Sequence, residues 1–323
     1  MATNNEVPLV LQYPTFPVEI VPMKEVMETF KESFELITES DLNDSSRPQV
    51  KGILHPASFG LITEELMASL PNLKVISNIG AGIDNIDLEA AKRRGILVGN
   101  TPGISDCLAD FAWALLMAAA RNVIQADAMM RKPGFKIPSI INWHGTRVSG
   151  ATLGIIGLGN IGLAVAKRAK GFDMRILYYN RTRKMKAESE LGVHYCSGLK
   201  DLLKESDYVM LSCALTPETK HIIKSAELSQ MKPSATLINV ARGGLVNHDD
   251  LTTALQNGVI RGAALDATDP EPLPHDHPLL ALSNAIVTPH IASATLHARR
   301  AYVKNALLNV NAGLRGDPLP FPC

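Results

Sequence analysis

Short apolar runs alternate along this chain with segments whose apolar positions recur at helical spacing, so strand and helix are predicted in turn. Pro8–Tyr13, Phe34–Thr38, Gly52–His55, Leu73–Ile79 and Ile96–Gly99 read as strands. Between them Val18–Phe34 reads as a helix, Thr63 caps Glu64–Leu70, and Asp87 caps a helix through Arg94 that ends at Gly95. After Asn100-Thr-Pro-Gly103 a long helix is expected over Asp106–Met130. Its first half is apolar on nearly every face (Leu108, Phe111, Ala112, Trp113, Leu115, Leu116, Met117), the mark of a core or interface helix. Residues 131–150, with Pro133, Gly134, Pro138, Gly145 and Gly150, read as a loop around Trp143.

The alternation then resumes. Strands are expected at Gly154–Ile156, Arg175–Tyr179, Val209–Cys213, Thr236–Val240, Gly262–Leu265 and Ala285–Thr288. Helices fall at Ile161–Lys170, Lys184–Leu191, Leu199–Ser206 and His248–Asn257, with a last one at Leu296–Leu314. Strands and helices alternating at short spacing build doubly wound parallel sheets with helices on both faces.

The most informative stretch lies mid-chain, at Leu153-Gly-Ile-Ile-Gly157-Leu-Gly159-Asn-Ile-Gly162. Strand, glycine turn and helix follow one another there. Gly157 permits the tight turn, Gly159 lets backbone approach a pyrophosphate, and Gly162 lets the helix pack against the strand. The N–H groups of Asn160 and Ile161 open the helix and face an anion. The first half of the chain has no such glycine pattern.

Bulk composition narrows the partners. The 323 residues suffice for two domains, and 46% hydrophobic with 20% charged content suits a full core. Lys+Arg and Asp+Glu are both 32, which argues against a nucleic-acid or membrane partner held by bulk charge. Cys107, Cys196, Cys213 and Cys323 lack metal or redox spacing, and no signal peptide, membrane span or metal cluster is evident; a cytoplasmic setting is expected.

Cofactor choice is read at the end of the second strand of the glycine unit. An NAD site wants Asp or Glu there for the ribose hydroxyls. This chain has Tyr179-Asn180-Arg181-Thr182-Arg183 instead. Arg181 can fork a 2′-phosphate, Thr182 and Arg183 can add contacts, and Asn180 removes the carboxylate that would repel it. NADPH is therefore expected over NADH.

Three further residues sit just past expected strand ends, where ligands bind in open parallel sheets: Arg242, Glu271 and His290. Reduction of a 2-oxo acid needs a cation for the carboxylate and carbonyl, an acid for the alkoxide, and a partner that keeps that acid protonated. Arg, His and a buried Glu beside the imidazole suit these tasks in that order. Asp266, also at a strand end, suits the nicotinamide carboxamide.

These motifs, with Asn239–Asp250, Leu265–Leu280, Pro289–Thr295 and Ala312-Gly-Leu-Arg-Gly-Asp-Pro318, resemble the D-isomer-specific 2-hydroxyacid dehydrogenases from about Leu73 to Pro320. Within them the chain looks most like the glyoxylate/hydroxypyruvate reductases. The resemblance implies an α/β fold in which a Rossmann-type nucleotide domain (105–292) is inserted into a flavodoxin-like substrate domain (1–104 plus 293–323). It implies catalytic roles for Arg242, Glu271 and His290, and a substrate carboxylate held by the amides of Ala81 and Gly82 beside Ser293. It brings Cys213, Ala214, Thr219, Val240 and Ala241 to the cofactor with Asp266 and His290, although many relatives carry Pro at Ala214 and His or Asn at Ser212. It further implies an active site in the interdomain cleft and a homodimer joined through the nucleotide domain, with Trp143 near where a neighbouring subunit's tryptophan lines the pocket.

The implied reaction is NADPH-dependent reduction of glyoxylate and hydroxypyruvate to glycolate and D-glycerate. Two alternatives stay open: a reductase of larger 2-oxo acids such as 2-ketogluconate or hydroxyphenylpyruvate, and a nucleotide-sensing corepressor. The absence of an appended regulatory domain and the Asn180 turn disfavour a serine-pathway dehydrogenase.

Overall fold

The computed structural model describes residues 7–15, 26, 28–56, 60–134 and 143–323. The chain forms two compact units, Met1–Ile104 with Ala294–Cys323, and Ser105–Ser293.

The first unit holds strands β1 (Leu9–Gln12), β2 (Glu35–Ile37), β3 (Val50–Pro56), β4 (Val75–Ile79) and β5 (Leu97–Gly99). They pair in parallel in the order β2-β1-β3-β4-β5, the flavodoxin-like arrangement. Helix starts follow cap chemistry: Thr63 Oγ1 accepts from Leu66 N at 3.3 Å, and Asp87 Oδ1 from Ala90 N at 2.9 Å. Gly95 closes its helix at φ +68°. Ile53, Ile76, Met67, Ala90 and Ala91 form the core on one face. On the other, Val10, Leu54, Phe30 and Phe34 pack against Val303, Ala306, Leu307 and Val310 of the last helix, Leu296–Arg315. A Cβ at Gly313 of that helix would lie 2.5 Å from the Val75 Cβ, so only glycine lets it seat on β4. The tail then runs back along β5. Cys323 N donates to Val98 O at 3.0 Å, and the buried Asn309 side chain binds both Phe321 N and Asn100 O at 3.0 Å. The expected helix Val18–Phe34 lies largely outside the described residues, and its last residues before Phe34 form turns.

The second unit has β6 (Thr152–Ile156), β7 (Arg175–Tyr179), β8 (His194–Tyr195), β9 (Tyr208–Leu211), β10 (Thr236–Asn239), β11 (Gly262–Leu265) and β12 (Ala285–Val287). All pair in parallel, in the order β12-β11-β10-β9-β6-β7-β8. The order reverses between β6 and β9, the switch point at which nucleotide folds open a crevice. Successive side chains point to opposite faces: Ile155, Tyr178, Met210 and Ile238 join one core, and Leu177, Val209, Leu211 and Leu237 the other.

Three expectations change here. Two-residue β8 is too short to show alternation. The strand expected at Val209–Cys213 ends at Leu211, which leaves Ser212 and Cys213 in the following loop. The long helix expected over Asp106–Met130 is two helices, Ser105–Arg121 and Val123–Met130, bent by 63°. Asn122 makes the break at φ +53°. Its side chain donates to His144 O at 3.2 Å and accepts from Arg261 Nη2 at 3.1 Å, which holds the left-handed residue. Apolar spacing continues through the bend and so does not mark it. No single helix among the described residues is long and apolar enough to cross a membrane.

Candidate active site

Arg242, Asp266, Glu271 and His290 lie just past the ends of β10, β11 and β12. His290 follows β12 at φ +53°, a left-handed conformation costly to a residue with a Cβ, on the order of 1 kcal/mol. Asp266, 1% exposed at the end of β11, holds it there. Its carbonyl accepts His290 N at 2.8 Å. Its Oδ1 accepts Thr288 Oγ1 at 2.6 Å and Ile291 N at 2.9 Å, and its Oδ2 accepts Ala292 N at 2.7 Å. Three of roughly four carboxylate acceptor positions are filled, and one on Oδ2 remains.

So supported, His290 Nδ1 meets Glu271 Oε1 at 2.6 Å. The Glu271 side chain is 34% exposed and that of His290 21%, so the glutamate is not the buried residue that was expected. The pairing occupies Nδ1 and leaves Nε2 as the other ring nitrogen. The Arg242 loop is locked to the same region. A Cβ at Gly243 would come within 1.9 Å of the Thr268 carbonyl carbon, so the backbone after Arg242 lies directly on the Asp266–Glu271 loop. Asn239 shapes that loop by accepting from Ala241 N at 3.0 Å and donating to Arg242 O at 2.8 Å. Arg242 Nη1 donates to Ala241 O at 3.1 Å. Val240 is buried and Ala241 half-buried. Arg242, Glu271 and His290 thus come from three adjacent loops that touch or hydrogen-bond. Ser293, half-buried, ends the second unit and has no hydrogen bond among the described residues.

The glycine turn fits a dinucleotide. Gly157 sits at φ +99°, and a Cβ there would lie 2.5 Å from Cys213 N. A Cβ at Gly162 would lie 2.4 Å from Gly157 O, so both glycines are required by the fold. Gly159 differs: a Cβ there would meet nothing within 4 Å. The room it leaves is in front of the helix Asn160–Lys170, whose N-cap Gly159 has no capping side chain, so its first N–H groups remain for an anion. Burial pushes the Cys213 thiol up to about 11, so that wall of the turn is uncharged near neutral pH. Thr219 closes the loop after β9, its hydroxyl donating to Ala214 O at 2.7 Å and accepting from Thr216 N at 2.8 Å. Sequence reading passed over Ser212, whose hydroxyl donates to Gly157 O at 2.7 Å; it showed only as a departure from the familiar pattern.

The turn after β7 is more ordered than its sequence suggests. Asn180 Oδ1 accepts Leu158 N at 2.6 Å, tying this turn to the glycine turn. Arg183 forms a two-pronged pair with Glu188, Nε to Oε1 at 2.8 Å and Nη2 to Oε2 at 2.7 Å. Arg181 is exposed and makes no ion pair among the described residues, though its charge helps Thr216 and the local backbone lower the Glu218 carboxyl. Thr182 is exposed.

In the first unit, the turn after β4 presents two amides. Gly80 O accepts Thr101 N at 3.1 Å and Ala81 O accepts Asn100 Nδ2 at 2.8 Å. A trans peptide points its N–H away from its C=O, so both bonds fix the Ala81 and Gly82 N–H directions. Neither N–H has a partner among the described residues. Asn78 Nδ2 holds Gly82 O at 2.5 Å, and Thr101 Oγ1 accepts Gly80 N at 2.7 Å. Asn78, Asn100 and Thr101 were not singled out from the sequence, since ordinary polar residues at strand ends carry no motif.

The chain is similar in sequence and in fold to known proteins. Residues 113–292 match the family model for the D-isomer specific 2-hydroxyacid dehydrogenase, NAD binding domain. The chain is 46% identical over 265 residues to a glyoxylate reductase of Thermococcus litoralis, covering 80% of this chain and 79% of that one. It is 43% identical over 310 residues to a glyoxylate reductase of Korarchaeum cryptofilum, covering 91% of each. Among solved structures, the NADPH-dependent glyoxylate/hydroxypyruvate reductase of Sinorhizobium meliloti, in complex with NADP and malonate, is similar with a TM-score of 0.88. It is 31% identical, over 98% of this chain and 97% of that one.

Proposed function

The chain belongs to the D-isomer specific 2-hydroxyacid dehydrogenases, and we propose that within this family it is an NADPH-dependent reductase of glyoxylate and hydroxypyruvate, forming glycolate and D-glycerate. The observation that carries the catalytic part is the 2.6 Å bond between His290 Nδ1 and Glu271 Oε1. With Nδ1 held by the carboxylate, Nε2 is the nitrogen that gives a proton to the carbonyl oxygen, and Glu271 stabilises the imidazolium before transfer. Arg242 offers its guanidinium fork to the carboxylate and polarises the carbonyl. The reduced nicotinamide, when bound, supplies the hydride to the carbonyl carbon. The last acceptor position on Asp266 Oδ2 suits the carboxamide N–H. The Ala81 and Gly82 amides suit a substrate carboxylate, with Ser293 as a further polar contact.

For the cofactor, we read Gly157, Gly159, Asn160, Ile161 and Gly162 as the pyrophosphate cradle and Asn180, Arg181 and Thr182 as the 2′-phosphate contacts. Cys213, Ala214, Thr219, Val240 and Ala241 line the remainder. The exposed Arg181 beside a turn without a carboxylate supports NADPH. Exposed Val123, Ile124 and Met130 support a homodimer through the nucleotide unit, and cysteines held in no disulfide suit a reducing, cytoplasmic compartment. The test is oxidation of NADPH and of NADH by the purified protein across a panel of 2-oxo acids, glyoxylate and hydroxypyruvate included. Faster NADH oxidation sinks the cofactor reading, and faster turnover of 2-ketogluconate or hydroxyphenylpyruvate sinks the substrate reading. Cofactor binding without any turnover points to a sensor instead.

A further inference from the structure

Arg183 was expected to contact the cofactor phosphate, yet its Nε and Nη2 both bind Glu188, at 2.8 and 2.7 Å. Glu188 Oε1 also accepts the Tyr178 hydroxyl at 2.6 Å, and that hydroxyl accepts Lys184 N at 2.8 Å. Tyr178 is fully buried on β7, so it reaches from the core to the turn. The Arg183 guanidinium lies over the Tyr195 ring, 5.6 Å from its centre, and the Tyr195 hydroxyl donates to Asn180 O at 3.4 Å. Asn180 Oδ1 is held by Leu158 N at 2.6 Å. The segment from Asn180 to Lys184 is therefore pinned at both ends and through Arg183, while Arg181 projects without an ion pair. The bonds from Arg183, then from Tyr178, bring the Glu188 carboxyl down to about 2, so it stays charged across the working range.

We infer that Tyr178 and Glu188 are positioning residues for cofactor selectivity: they fix the turn in the one shape that presents Arg181 to a 2′-phosphate, with Arg183 serving as the brace and not as the phosphate ligand. The inference rests on the NADPH reading proposed above. An NADH molecule carries a neutral hydroxyl and no phosphate at that position, so a guanidinium held there matters to one cofactor far more than to the other. A turn already in its bound shape loses little entropy on binding, and a loosened one loses the difference as affinity.

The test is the ratio of kcat/KM for NADPH to that for NADH in wild type, Tyr178→Phe and Glu188→Gln, with thermal midpoints recorded alongside. Tyr178→Phe keeps the buried ring and every charge but removes the hydroxyl between Lys184 and Glu188. Glu188→Gln lies on a surface helix and leaves folding intact if the buried variant fails. Both are expected to lower the ratio about fivefold or more through a higher KM for NADPH, with kcat and the NADH constants unchanged. A shifted midpoint with an unchanged ratio marks a merely structural role and overturns the inference. A ratio that rises in Glu188→Gln overturns it too, since Glu188 would then compete with the phosphate for Arg183. A wild-type ratio at or below one overturns the NADPH reading itself and the inference with it.

Discussion

His290 hangs from Asp266: its backbone N–H donates to the Asp266 carbonyl at 2.8 Å while the buried carboxylate takes the next two N–H groups of the same loop. Asp266→Asn keeps the volume but turns an acceptor into a donor facing Ala292 N–H or Ile291 N–H. A buried donor left unsatisfied costs about 1–3 kcal/mol. Urea unfolding is expected to show that loss, and steady-state assays a fall in kcat, because the left-handed His290 loses its support. Unchanged stability together with unchanged kcat would remove Asp266 from this role.

His290→Asn removes the proton donor and leaves the loop's backbone bonds in place. Turnover is expected to fall by about 10²–10⁴-fold, with NADPH binding by fluorescence titration nearly unchanged. Glu271→Gln keeps a hydrogen bond to Nδ1 but loses the charge that stabilises the imidazolium, so its kcat should fall less than that of His290→Asn. A His290→Asn enzyme within a few-fold of wild type would refute the assignment.

The pair Asn180→Asp with Arg181→Ala tests the cofactor reading at its source. Aspartate still accepts Leu158 N–H, so the turn survives while its charge reverses. Loss of a charged hydrogen bond is worth about 1.5–3 kcal/mol, so preference should move toward NADH by about tenfold or more. The check is the ratio of the two specificity constants.

Two glycines separate folding from binding. Gly243→Ala drives a methyl into the Thr268 backbone 1.9 Å away and should cost more than about 2 kcal/mol in a denaturant titration. Gly159→Ala meets nothing within 4 Å, and φ there is −88°, which alanine tolerates. Its stability should stay within about 0.5 kcal/mol of wild type. Its affinity for NADPH should nonetheless fall, because the methyl fills room the pyrophosphate needs. Equal effects of both substitutions on both readouts would contradict this division.

Acid should weaken the fold through two buried histidines. Burial holds both His55 and His248 below the ordinary histidine value of 6.5. In His55 this outweighs the bond from Nδ1 to Tyr13 O at 2.5 Å; in His248 the charges of His277 and His221 push the same way, against Asp269, and Nε2 has no partner. Below 6.5 the unfolded chain binds protons that the folded chain refuses. Their stabilisation is therefore full above that pH and declines as pH falls through it. Urea midpoints at about pH 7.5 and about pH 5.5 should show the decline, and His55→Gln with His248→Gln should shrink it. An equal decline in the double variant would assign it elsewhere.

Most of both sheets was legible because the central strands are buried apolar runs followed by a residue of a different kind: Gly157 after Ile156, Asp266 after Leu265, His290 soon after Val287. Local chemistry also marked Thr63, Asp87 and Gly95 correctly. What stayed hidden depends on partners distant in sequence. Asn122 breaks its helix because Arg261 and His144 hold it, and nothing within one turn of Asn122 says so. The pairing of Arg183 with Glu188 stayed hidden because Glu188 reads as an ordinary helix acid. Glu271 was expected to be buried because its chemistry favours it, yet it stands on a loop whose path periodicity does not describe.

The last helix, Leu296–Arg315, covers Val10 and Leu54 of the first unit, yet all of Ser105–Ser293 lies between it and β5. On a ribosome, the sheet whose strands emerge first is therefore the one covered last. The nucleotide unit emerges whole and can close while β1 and β3 still expose an apolar face. That interval of synthesis is when the nascent chain has most need of a chaperone, and a stalled message ending before Leu296 leaves a folded nucleotide unit tethered to an open sheet.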